Sequence, residues 1–247
     1  MRIVLRTHGG LGNQIFQTFY GRLLADKLGA ELTRVHDARY AHGFGASSEL
    51  GLQHPRSRGA GAALSWLRIP KLLKRAGVDC ETIRLPGLVL LDGYFQQPSD
   101  YAQFESAAIA RELRALRAEL GIGAAPAAGT LVHVRLGDFF TSEEAQKTHL
   151  AERMESIPDG AAVITNRDDL LVVVPGDWGR APQIRFVPTA DLTPEALLRL
   201  MSGFGEIRTN ESTLAFWASI LGNCRVTLKT SYLAETHALL VAADQIG

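Results

Sequence analysis

The sequence is poor in the features that mark secreted, membrane-spanning or nucleic-acid-binding chains. It has two cysteines, Cys80 and Cys224, far apart in 247 residues. That excludes a disulfide framework and fits reduced thiols in a cytosolic protein. No apolar run approaches the roughly 18–20 residues that cross a bilayer. The opening run Ile3-Val4-Leu5 is too short for a signal-peptide core. Basic and acidic side chains number 26 each, so no positive excess points to nucleic acid and no charged tail is present. The short basic stretches Arg56–Arg58 and Lys71–Arg75 read as solvated faces. A cytoplasmic location is expected, with at most loose contact with the inner membrane face.

Several catalytic signatures are also missing. No G-x-x-x-x-G-K-[ST] occurs, which excludes a P-loop NTPase, and no G-x-S-x-G, which excludes the common serine hydrolase elbow. There is no H-E-x-x-H, no C-x-x-C and no D-x-D, so no metal site is expected. Asp168-Asp169 is adjacent rather than alternating and reads as solvated.

What the chain does contain is a globular composition with 46% hydrophobic residues, enough for a sizeable core. Strand patterns alternate with helical ones in both halves. Arg2–Arg6 reads as a strand, followed by a glycine turn and a helix over about Asn13–Leu28; Leu85–Phe95 reads as a buried strand with its exit loop. In the second half, Thr130–Arg135, Leu170–Val174, Ile207–Thr209 and Arg225–Lys229 read as strands. Helices are expected near Glu143–Ser156, Thr193–Phe204 (Thr193 as N-cap, Pro194 in its first turn), Ser212–Leu221 and Ala234–Ala243. The small, uncharged stretch 121–129 reads as a linker between a domain at 1–120 and another at 130–247. The alternation predicts an α/β fold of doubly wound parallel sheets, with ligands beyond the carboxyl ends of the strands.

Four segments at such strand ends carry chemistry. Gly9-Gly10-Leu11-Gly12-Asn13-Gln14 follows the first strand, where Gly10 and Gly12 let backbone approach a ligand. It is not a dinucleotide fingerprint, because the third glycine falls at Ile15. Asp92-Gly93-Tyr94-Phe95-Gln96 offers two aromatic rings as a wall for a sugar. His133-Val134-Arg135-Leu136-Gly137-Asp138 puts His133 and Arg135 on one strand face, with a permanently charged guanidinium suited to phosphate. Asn210-Glu211-Ser212-Thr213 precedes a helix, whose N-terminus Ser212 and Thr213 can cap or open to an anion. Each segment alone also fits an ordinary turn, core loop, buried ion pair or helix cap.

In this order the four segments resemble the bacterial alpha-1,2-fucosyltransferases, and more distantly the alpha-1,6- and protein O-fucosyltransferases. Gly9–Gln17 reads GGLGNQIFQ, Gly93–Gln96 matches G-Y-F-Q, and His133, Arg135, Gly137 and Asp138 match H-x-R-R-G-D-Y. Leu200-Met201-Ser202 and the stretch 211–217 approach the late L-M-S and N-S-[ST] segments. The resemblance implies a GT-B-like fold, two Rossmann-like doubly wound domains facing across a cleft. It implies inverting, metal-independent transfer of L-fucose from GDP-fucose to a glycan acceptor, the 2-hydroxyl of galactose being the expected target. Arg135 would neutralise the leaving diphosphate with Ser212 and Thr213; His133 and Asp138 would complete the donor pocket; Asn13 would face the reacting centre. His8 and Asp92 are the candidate bases, from the right loops but outside the family signature. The chain departs from the pattern at Leu136 for the second arginine, Phe139 for tyrosine, Leu197 for the acid that reads guanine, and Glu211 for asparagine. Another nucleotide-sugar transferase, and a non-catalytic nucleotide- or glycan-binding relative, remain alternatives.

Overall fold

A computed structural model describes residues 1–36, 81–123, 128–136, 140–154, 157–171, 185–210 and 212–246. The first half carries β1 (Arg2–Thr7), α1 (Leu11–Leu28), β2 (Glu31–His36), β3 (Thr82–Leu85), β4 (Leu88–Leu91), α2 (Pro98–Tyr101) and α3 (Ser106–Leu120). The second half carries β5 (Thr130–Val134), α4 (Glu143–Met154), β6 (Ala162–Thr165), α5 (Asp168–Leu171), β7 (Arg185–Phe186), α6 (Pro194–Ser202), β8 (Glu206–Thr209), α7 (Thr213–Gly222), β9 (Arg225–Thr227) and α8 (Ser231–Ile246). The fold is α/β, with one sheet from each half.

The first sheet has the order β2-β1-β4-β3. β1 is parallel to both β2 and β4, whereas β3 runs antiparallel to β4. The all-parallel expectation therefore fails at this edge. Pro86-Gly87, read in sequence as an interruption of one strand, is a two-residue reversal with Gly87 at φ +72, a conformation that glycine adopts without steric cost. The second sheet, β7-β6-β5-β8-β9, is parallel throughout. Counted within its own half, its order is 3-2-1-4-5, the doubly wound arrangement, and its strand order reverses at β5. The first sheet reverses in the same way at β1.

The segment expected as a core strand at 170–174 begins instead in the short helix α5, and residues 172–174 lie outside those described. Asp168, expected in solvent, opens that helix. It accepts hydrogen bonds from the backbone of Thr189 at 2.7 Å and Ala190 at 3.1 Å. An extended reading of this pair overlooked that a carboxylate at a helix start is well placed to hold neighbouring N–H groups. Asp169 is exposed and paired with Arg167 at 2.7 Å.

Buried aromatic side chains join the two halves. Phe16 and Phe19 of α1 meet Trp217 of α7 at ring distances of 4.8 and 5.3 Å, and Phe16 meets Phe216 at 4.7 Å; none of the four is exposed to solvent. Edge-to-face and tilted packing of this kind adds to the gain from burying the rings. The last helix, α8, crosses back to pack on α2 and α3. There Arg117 of α3 donates to the backbone carbonyls of Ile220 and Leu221 and pairs with Asp244 at 2.6 Å. Among the described residues, no helix is long and apolar enough to cross a membrane.

Candidate active site

The reversal points of the two sheets meet at one cavity of about 250 Å³. The first sheet contributes the loop and helix start at Gly9–Asn13, together with Tyr94; the second contributes His133, Arg135, Ser212 and Thr213. All four sequence segments thus converge, although they lie as much as 200 residues apart.

The glycine segment is explained residue by residue. Gly9 has φ +79, and its carbonyl accepts from the Gln14 side chain at 3.0 Å. Gln17 reaches back to accept from the His8 backbone at 2.9 Å. Ile15 and Phe16 are core. Gly12 is the point of closest approach: a Cβ there would stand 2.5 Å from the backbone nitrogen of Leu214 and 2.6 Å from Thr213 Oγ1. The start of α1 therefore abuts the start of α7. The α1 N-cap, Gly10, supplies no side-chain cap, while Ser212 caps α7 by accepting from Ala215 N at 3.2 Å. Each helix start is equivalent to roughly half a positive charge. Two of them side by side, on the same cavity wall as Arg135, give that wall a positive field that favours an anion.

Arg135 is placed by two asparagines. Asn210, after β8, accepts from Arg135 N at 3.0 Å and donates to Arg135 O at 3.2 Å. Asn166, after β6, accepts from Leu136 N at 2.7 Å and donates to Leu136 O at 3.0 Å. Strand pairing has ended here, and each carboxamide takes the place of the next residue of a neighbouring strand. The loop after β5 is thereby held from both sides. Asn166 was not legible as a site residue, since β6 is only four residues long and was itself missed. The signal available was an asparagine one residue after the apolar run 161–164.

His133 is buried, lines the cavity and lies 3.4 Å by its Nδ1 from Thr209 Oγ1. Burial, with the nearby Arg135 charge second, pushes its pKa down to about 4. The imidazole is neutral at pH 7, and offers one donor and one acceptor.

The second segment divides between surface and core. Tyr94 lines the cavity and is 44% exposed. Phe95, expected beside it on the sugar wall, is 2% exposed and stacks on Tyr20 at 4.2 Å. Its backbone lies at φ +52, a conformation costing a non-glycine residue of order 1–3 kcal/mol. Surrounding bonds hold it: Tyr101 Oη donates to Phe95 O at 2.7 Å and Thr236 of α8 to Gln96 O at 2.8 Å. Gln96 in turn donates to Asn13 Oδ1 at 3.0 Å, which joins the first two segments.

Gly10, Gly12, Asn13, His133, Arg135, Ser212 and Thr213 all line the cavity. His8 and Asp92 lie behind it. Asp92, 3% exposed, accepts two bonds from Arg6 at 2.9 and 3.1 Å. His8 stands 3.8 Å from Asp92, and its ring meets Tyr94 edge-on at 4.8 Å. Asp138, Gly137, Phe139 and Glu211 lie outside the described residues. Leu197 and Pro194, at the start of α6, form an apolar part of the wall.

No protein-family model and no curated protein matches the chain. Among solved structures it is similar to the fucosyltransferase NodZ from Bradyrhizobium, at 15% identity and a TM-score of 0.43, covering 89% of this chain and 92% of that one. NodZ alpha-1,6-fucosyltransferase co-crystallised with GDP gives 15% identity and a TM-score of 0.42, covering 89% and 92%. The shikimate 5-dehydrogenase-like protein HI0607 gives 9% identity and a TM-score of 0.23, covering 100% and 89%. These scores lie below the level at which a common fold is established.

Proposed function

We propose that the chain is a cytoplasmic, inverting fucosyltransferase of the two-domain, GT-B-like type. It would move L-fucose from GDP-fucose, without a metal, to a glycan hydroxyl, the 2-hydroxyl of galactose being the favoured acceptor. The observation that supports this most is the convergence of the four resemblance-bearing segments on one cavity, with Arg135 and two helix starts at its wall.

In this reading the diphosphate lies against Arg135 and the starts of α1 and α7. The bond from the fucose anomeric carbon to the phosphate oxygen breaks, and its electron pair goes to the diphosphate. The guanidinium and helix N–H groups are already oriented toward that charge, so little reorganisation is needed. The acceptor oxygen attacks from the opposite face and loses its proton to a base. His8 is the candidate base in this reading; it stands behind the lining residue Tyr94, so it receives the proton through a bridging water and not by direct contact. Asp92, paired with Arg6, places a carboxylate 3.8 Å from the His8 ring. Neutral His133 and the Asn13 carboxamide, fixed by Gln96, supply uncharged hydrogen bonds to donor and reacting centre.

The test is transfer from GDP-fucose to a galactoside, with and without a chelator. Arg135→Ala should lower turnover by about a hundredfold or more while the melting temperature stays put. Near-normal turnover of this variant contradicts the role of Arg135, and loss of activity on chelation contradicts metal independence.

One observation favours a second reading. Leu197 puts an apolar side chain on the cavity wall at the place where the resembled family carries a base-reading acid. A nucleotide sugar with a base other than guanine fits that wall, and a panel of nucleotides separates the two.

A further inference from the structure

A second cavity, of about 210 Å³, lies along the other face of the second sheet. Strand register builds it. Val132 of β5 pairs with Arg208 of β8, and Arg208 with Thr227 of β9, so the three side chains form one row across the sheet. Val134, two residues further along β5, lies on the same side by strand alternation, and Lys229, two residues past the end of β9, also lines the cavity. Val132 and Val134 pack with Leu150 of α4, which places α4 over this face. Arg153, one turn further along α4, completes the rim. The result is an apolar floor, the Thr227 hydroxyl, and three cations, Arg153, Arg208 and Lys229, around the opening. No carboxylate belongs to the described lining. Glu206 pairs with Arg208 through its Nε at 3.0 Å, and the guanidinium carries further donors beyond that pair.

We propose that this groove is a second anion site, which takes the phosphate or diphosphate group of a small ligand. Among the described residues, only His133 lines both cavities, so the two can be occupied together. A cluster of fixed cations beside a low-dielectric floor strengthens its hold on an anion. The neighbouring His149 feels the same cations: burial first and then Arg153 lower its pKa, Glu152 opposes them, and Lys229 adds a smaller lowering effect. The inference stands whatever the first cavity binds.

The probe is inorganic pyrophosphate, followed by calorimetry on the full chain. Three proteins are compared: the wild type, Arg135→Gln, and the double variant Arg153→Gln with Lys229→Gln. The site predicts that Arg135→Gln keeps a pyrophosphate equivalent, and that the double variant binds that equivalent at least about tenfold more weakly. Unchanged binding by the double variant overturns the proposal, as does loss of all binding in Arg135→Gln. Should the double variant fail to fold, Lys229→Gln alone, at an exposed position, must weaken binding in the same direction. The source of the anion is then read from kinetics. A raised KM for a glycosyl phosphate but not for its neutral glycoside identifies the acceptor as the carrier. A turnover that responds to added phosphate, with both KM values unchanged, identifies a free anion.

Discussion

Asn210 holds Arg135 by both backbone atoms, accepting from its N–H at 3.0 Å and donating to its carbonyl at 3.2 Å. The side chain that faces the cavity is therefore aimed by a neighbour that does not line it. Asn210→Ala removes both bonds and leaves two partly buried backbone groups without them, at a cost of about 1–3 kcal/mol each if water cannot enter. The expected result is a fall of several degrees in melting temperature, with turnover falling further than stability explains. Asn210→Asp, which can still accept from Arg135 N, should recover part of the loss. An alanine variant with wild-type melting and turnover contradicts the aiming role.

Gly12 gives a sharper steric test. A methyl group there would meet the backbone of Thr213 and Leu214 at 2.5 Å, and backbone cannot rotate aside as a side chain can. Gly12→Ala should destabilise the protein by more than about 2 kcal/mol and loosen the contact between the starts of α1 and α7. Gly123→Ala, with open space around its Cβ, is the control and should be neutral. Urea denaturation of both variants decides the matter, and equal midpoints would contradict the close approach.

The outline of this site was open to reading because its determinants are local. The glycine segment needs a turn, a close approach and a helix start within six residues, and those constraints are written in adjacent positions. His133 and Arg135 follow from strand alternation alone. Phe95 was not legible: its inward turn depends on a positive φ held by Tyr101 and Thr236, which are distant or on another helix. The β3–β4 hairpin was lost for a similar reason, since a short apolar run with Pro86-Gly87 inside it looks like one interrupted strand. The paired asparagine clamps required knowing that β6 and β8 flank β5, which is topology rather than pattern.

Two desolvated histidines, His133 buried and His237 partly buried, make stability depend on acid. His133 and His237 both have pKa values pushed down to about 4, for His133 by burial and then Arg135, for His237 by burial. In the unfolded chain each takes up a proton near pH 6.5, so below that pH the unfolded state binds more protons than the folded one. Stability is complete above about pH 6.5 and declines as pH falls toward 4, by about 1.4 kcal/mol per pH unit for each histidine. Urea midpoints across pH 4–7 should show this slope, and His133→Gln should reduce it. A profile that is flat between pH 6.5 and 4 contradicts the neutral state of these imidazoles in the folded protein.

The central claim is that the cavity joining the two sheets is a nucleotide-sugar donor site. Calorimetric titration of the purified protein with GDP, ADP and UDP, in the absence of added metal, tests it most directly. The account predicts selective binding of GDP that is lost in Arg135→Ala. Binding of another nucleotide through Arg135 would keep the site and replace the donor, whereas no binding of any nucleotide, or binding that ignores Arg135, would contradict the account.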